Sequence, residues 1–176
     1  MDKRKRLVFF LAGPIFALIA GTLLHFVHDW FPSNLTAVFS AVNESVWEHS
    51  RLVSVPMLLA SLWEYPLCPN RERFWLAKAL GCWTGVLAVP TLFYTYSCIT
   101  GGNVLWADIA VFAASVLLGC AVFFRLLRAD RTERPALRAL GVVLFVLLAV
   151  LDVWWTFAPP HIALFRDPVN GLYGLG

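Results

Sequence analysis

Charge is what this sequence has least of. Only 14% of its 176 residues are Asp, Glu, Lys or Arg, against about a quarter in soluble domains, while 60% are hydrophobic and the mean hydropathy is +0.72. Such a chain is not a soluble globular domain. Once several spans of about 20 residues each are subtracted, too little remains for a separate soluble domain. Cysteine is sparse too: Cys68, Cys82, Cys98 and Cys120 are dispersed with no CxxC spacing, which argues against a thiolate metal site or disulfide framework. They read as small apolar fillers of a bundle. There is no internal repeat, which weakens an inverted-repeat transporter reading, and no HExxH spacing. The net charge of +3 implies no nucleic-acid partner. Twelve of the fourteen Lys and Arg residues, all but Arg51 and Arg166, fall in three clusters beside hydrophobic segments, where membrane topology explains them.

What the chain does have is long apolar runs. They predict an all-α fold: one polytopic transmembrane helical bundle, 1–176, with about five spans at 7–28, 44–67, 74–98, 104–127 and 139–158 and an external tail at 159–176. The first run is too long for a signal-peptide core and lacks a small-x-small cleavage site before His25. Basic clusters at Lys3–Arg6, Arg71–Arg73 and Arg125–Arg138 place the N-terminus in the cytoplasm and the C-terminus outside. The expected location is the plasma membrane, with the lipid bilayer as partner. Residues 31–42 read as an external loop. Pro56 and Pro90 predict kinks, Glu64 an interfacial carboxylate, and Lys78 a snorkelling cation or a partner for Glu64 or Glu72.

The densest polar stretch is Asn43-Glu44-Ser45-Val46-Trp47-Glu48-His49-Ser50-Arg51. If helical, it puts Glu44, Glu48 and Arg51 on one face, with Ser40 or Asn43 as N-cap. The simplest reading is a capped helix start with a local Glu48–Arg51 pair.

A second reading comes from depth in the membrane. With this topology His25, His28, His49 and His161 all fall in the outer half, together with Asp29, Glu44, Glu48, Asp108, Asp152 and Asp167. Ionisable groups at membrane depth face the bundle interior and mark functional sites. Imidazoles with carboxylates are ligands for zinc, or for iron or manganese. His25, His49 and His161 are the expected metal ligands, and Glu44 or Glu48, unligated, the expected general base. Asn43, Arg51, Asp108, Asp152, Arg166 and Asp167 form a supporting polar network. Within it Asp108 and Asp152 can satisfy backbone or tyrosine groups between helices, and Arg166 can pair with Glu44 or Asp167. The tail, with turn signals at Asp167-Pro168 and Asn170-Gly171, is expected to fold over the mouth of the bundle.

These residues also carry a resemblance. Phe39-Ser40-Ala41-Val42-Asn43-Glu44-Ser45-Val46-Trp47-Glu48-His49, with Leu24-His25-Phe26, Phe74-Trp75-Leu76-Ala77-Lys78, Trp106-Ala107-Asp108-Ile109 and Leu164-Phe165-Arg166-Asp167-Pro168, make the chain similar, nearly end to end, to an uncharacterised family of small prokaryotic multi-pass membrane proteins, domain of unknown function family 6512. The resemblance implies an integral membrane protein and supplies no activity. A looser analogy, of site type only, is to ceramidase-like membrane hydrolases that hold zinc with histidines and an aspartate; their motif spacing is absent here.

The leading expectation is a metal-dependent membrane hydrolase acting on a lipid or lipid-linked substrate at the outer face. The alternatives are a small transporter or channel component, with Asp108, Asp152 and Glu48 as a cation path, and a non-catalytic membrane scaffold or subunit.

Overall fold

A computed structural model describes residues 3–128 and 134–175; part of the basic segment Arg125–Arg138 lies outside them. The described chain is helical: α1 (Lys3–Trp30), a short α2 (Asn34–Phe39), then α3 (Val46–Leu67), α4 (Arg71–Thr100), α5 (Leu105–Leu127) and α6 (Pro135–Phe157), closed by a single 3₁₀ turn at Ala163–Phe165. Four of them, taken as Val8–Trp30 and the whole of α4, α5 and α6, are long and apolar enough to cross a membrane. The protein is an integral, multi-pass membrane protein.

Contacts along the helices fix their directions. Phe16 packs edge-on against Trp63 at 4.6 Å, while His25 meets His49 at 5.2 Å, so α1 and α3 run antiparallel. Tyr65 against Phe74 (5.3 Å) turns α4 back along α3. Tyr96 donates to Asp108, which does the same for α5 against α4. Trp47 against Trp155 (4.8 Å) sets α6 antiparallel to α3. One end of the bundle therefore gathers the start of α1 and the α3–α4 and α5–α6 connections, and with them most of the cations. The other end gathers the histidines and the tail.

α3 is the pillar. Thirteen of its 22 residues are buried, among them Glu48, Arg51 and Glu64, because its neighbours surround it and shield it from lipid. A helix so enclosed can be more polar than those at the periphery. Glu64 is buried, not interfacial, and pairs with Lys78, itself 2% exposed and stacked 4.8 Å over the Phe123 ring. Gly13 makes room for it, since a Cβ there would strike the Glu64 carboxylate.

Small residues set the crossings. A Cβ on Gly81 would lie 2.7 Å from the Gly119 carbonyl oxygen, and the converse holds, so α4 and α5 touch backbone to backbone. Gly141 backs onto Trp75 and Leu76 in the same way. The core between them holds Val53, Met57, Phe74, Cys82, Val116, Phe123 and Leu148. α6 starts at Pro135, where a proline at the first position is preorganised for a helix.

The region expected as a loop contains α2. Ser33 and Thr36 form a reciprocal capping box, and the helix folds back on the end of α1. There the His28 N–H donates to Ser40 Oγ (3.0 Å), and the Ser40 hydroxyl and the Ala41 N–H both donate to the Leu24 carbonyl.

Candidate metal centre

Three of the expected groups converge. Ser45 caps α3, its Oγ accepting from the Glu48 N–H (3.3 Å), so neither Ser40 nor Asn43 is the cap. Glu44 therefore precedes the helix and does not share a face with Glu48 and Arg51. Its carboxylate turns toward α1, where Oε2 lies 3.6 Å from His49 Nε2 and 3.9 Å from His25 Nε2. One ligand atom from each of His25, Glu44 and His49 falls within 4.8 Å of the other two. Both imidazoles are half-buried and Glu44 is exposed, which leaves the cluster open on one side.

The proton on His49 is fixed by its other nitrogen. Nδ1 lies 2.9 Å from the Ser45 carbonyl; a carbonyl only accepts, so Nδ1 carries the hydrogen and Nε2 presents a lone pair. A metal-ligating histidine is oriented in this way by a partner behind it. The lone pair then faces the Glu44 carboxylate, acceptor against acceptor. A cation, either a proton or a metal ion, resolves that confrontation.

The remaining expected residues lie elsewhere. Glu48 is 1% exposed and faces away from the cluster; its Oε2 accepts from Arg51 Nη1 (2.5 Å) and from the Val42 N–H (3.1 Å). Arg51, equally buried, also donates to the Ala37, Val38 and Ser40 carbonyls at 3.0, 2.8 and 3.2 Å, gripping the C-terminal end of α2. His161 does not join the other histidines, because the tail turns it onto Tyr173, ring over ring at 4.5 Å. Asp108 takes the Tyr96 hydroxyl. Asp152 is 2% exposed, and neither of its oxygens has a hydrogen-bond partner in the described geometry; the Ser54 hydroxyl, which donates to the Arg51 carbonyl (3.3 Å), is near enough to turn to it instead. Asn43 ties the site to the tail: Oδ1 accepts from the Ser45 N–H (2.9 Å) and Nδ2 donates to the Gly174 carbonyl (2.8 Å). Asp167 is buried and accepts from the Val169 N–H (2.8 Å). Arg166 makes no ion pair within 4 Å with either Glu44 or Asp167.

Beside the cluster opens a cavity of about 440 Å³. Glu44 and His49 form one edge, Val89, Phe93, Val111 and Phe112 line it between α4 and α5, and Arg166 closes it from the tail. The apolar wall residues were not singled out in the sequence, where they are indistinguishable from core. Ser45 was the one legible miss, since Ser45-x-x-Glu48 is a helix-start pattern.

No curated protein and no solved structure matches the chain. A family model described only as a family of unknown function (DUF6512) matches residues 2–175, essentially the whole chain, and the protein belongs to that family.

Proposed function

We propose that the protein is a metal-dependent membrane hydrolase. In this reading His25, Glu44 and His49 hold zinc, or iron or manganese, at the outer face of the plasma membrane. The substrate is a lipid or lipid-linked molecule. The supporting observation is the convergence of two imidazoles and a carboxylate at the edge of the cavity. Zinc bonds of about 2.0–2.1 Å in a tetrahedron imply about 3.3 Å between ligand atoms. The separations of 3.6 and 3.9 Å, and the 4.8 Å bound on the whole set, leave little to close.

A divalent ion with three protein ligands keeps a fourth position for water and lowers its pKa to about 7. Such an ion would supply that water as the nucleophile for ester hydrolysis, in which the water's oxygen would join the acyl or phosphoryl centre, the bond to the leaving oxygen would break and a proton would return to that oxygen. Within the chain, Glu44 acts as ligand and not as base. Glu48 has no base role, being engaged by Arg51 and Val42. Phe93 and Phe112 give the cavity an apolar wall.

Elemental analysis of the detergent-purified protein is the test. Near-stoichiometric metal is expected in the wild type and in His161→Ala, with loss in His25→Ala and His49→Ala. A folded wild type that stays metal-free after supplementation with zinc, iron and manganese would overturn the reading. One observation favours a second reading, a proton or cation path: the buried, unpartnered carboxylate of Asp152. Ion flux in proteoliposomes abolished by Asp152→Asn would support it.

A further inference from the structure

The cavity presents an exposed cation that has no ion-pair partner among the described residues. Arg166 is the one Lys or Arg among its described lining residues. The nearby carboxylates are committed elsewhere: Asp108 to the Tyr96 hydroxyl, Asp167 to the Val169 N–H, and Glu44 to the two histidines. Arg166 is nonetheless held in place. Its backbone bridges to Tyr173, and the turn between them is pinned by the Asp167 N–H donating to Leu172 O and the Gly171 N–H to Asp167 O, both 2.9 Å. Its guanidinium lies over Gly171, whose φ of +78° and missing side chain leave it that space.

Below this rim the cavity wall turns apolar, with Val89, Phe93, Val111 and Phe112. An occupant that satisfies both parts is an amphiphile with an anionic head and at least one hydrocarbon chain. The volume of about 440 Å³ lies within the roughly 300–1,000 Å³ of small-molecule sites. The head can be narrowed further. Arg166 can donate from the tail and the Asn103 amide from the α4–α5 turn. A phosphate has acceptor oxygens for both, and the planar guanidinium fork matches two of them in bidentate fashion. A carboxylate, with both oxygens taken by the guanidinium fork, would leave Asn103 unmet.

We infer that this cavity binds a lipid phosphate, with the head group at Arg166 and one chain between α4 and α5. As an assignment of substrate class this rests on the hydrolase reading above. As a binding site it is independent of metal.

Binding is therefore measured on chelator-stripped protein in neutral detergent. The probes are a fluorescent single-chain lipid phosphate, its glycerol-headed analogue of the same chain, and the matching fatty acid. The phosphate is expected to bind at least about tenfold more tightly than the neutral analogue, the gain from a charge-assisted pair, and more tightly than the fatty acid. Arg166→Gln should abolish that preference and retain metal on reloading. Equal binding of charged and neutral probes, or a preference that survives Arg166→Gln, overturns the inference. So does displacement by inorganic phosphate at the same concentration as the lipid, which would identify a free-phosphate site. An Arg166-dependent preference in a protein that never takes up metal would sink the hydrolase reading alone.

Discussion

At the scale of single residues, Arg51 and Asp152 are both ionisable and buried near one another in the bundle, yet they should respond oppositely to substitution. The Arg51 guanidinium answers the Glu48 carboxylate and three carbonyls at the end of α2. Arg51→Met strands a buried anion, which costs about 3–5 kcal/mol, and frees α2 from the bundle. Asp152 has unpartnered oxygens, and with Glu48 and Arg51 already paired a negative charge there would be in excess. Asp152→Asn keeps the shape and removes that charge, so the melting temperature should hold or rise where Arg51→Met lowers it sharply. Thermal unfolding of the two variants in one detergent decides the matter. A fall in Asp152→Asn as deep as in Arg51→Met would mean that the carboxylate has a partner after all, and the excess-charge account would fail.

At the scale of helices, the crossing of α4 and α5 controls both stability and the cavity, since its wall is built from these two helices. A Cβ at position 119 would meet the Gly81 carbonyl at 2.7 Å, and backbone cannot rotate aside as a side chain can. Gly119→Val should therefore cost about 1–3 kcal/mol. Gly102→Ala, in open space at the α4–α5 turn, should change stability by less than about 0.5 kcal/mol. Equal melting temperatures for the two would show that the helices can part freely. At this scale the sequence was readable in proportion to how local each signal is. The apolar runs and their basic flanks announce the five long helices, because twenty apolar residues in lipid must satisfy their own backbone. α2 was not legible: a six-residue helix is too short to stand alone, and what secures it is Arg51, at least twelve residues further on. The metal cluster was half legible. Depth in the membrane grouped His25, Glu44 and His49, but also His161, because depth carries no information on azimuth. The tail's turns decided that, and they set His161 against Tyr173.

At the scale of the whole molecule, cations and histidines sit at opposite ends, and this polarity ties every functional reading to orientation. Arg71, Arg73, Arg125 and Arg128 lie at the end where α3 meets α4 and α5 finishes, while the other end keeps Arg51, engaged by Glu48 and α2, and Arg166 on the cavity. The positive-inside rule then puts the histidine end outside, provided that α3 spans the bilayer like its neighbours. At about 1.5 Å per residue its 22 residues reach about 33 Å, enough for a hydrocarbon core of about 30 Å. The native cysteines make this testable without engineering a label. Cys98 is exposed near the end of α4, on the histidine side, whereas Cys68, Cys82 and Cys120 are buried. Burial also pushes the Cys68 thiol up from its ordinary pKa, so that little reactive thiolate forms near neutral pH. A membrane-impermeant maleimide applied to intact cells should label the protein once, and Cys98→Ser should abolish the signal. Labelling that appears only after the membrane is opened would invert the topology. The cluster of His25, Glu44 and His49 and the Arg166 cavity would then face the cytoplasm, and the proposed lipid phosphate would have to be sought in the inner leaflet.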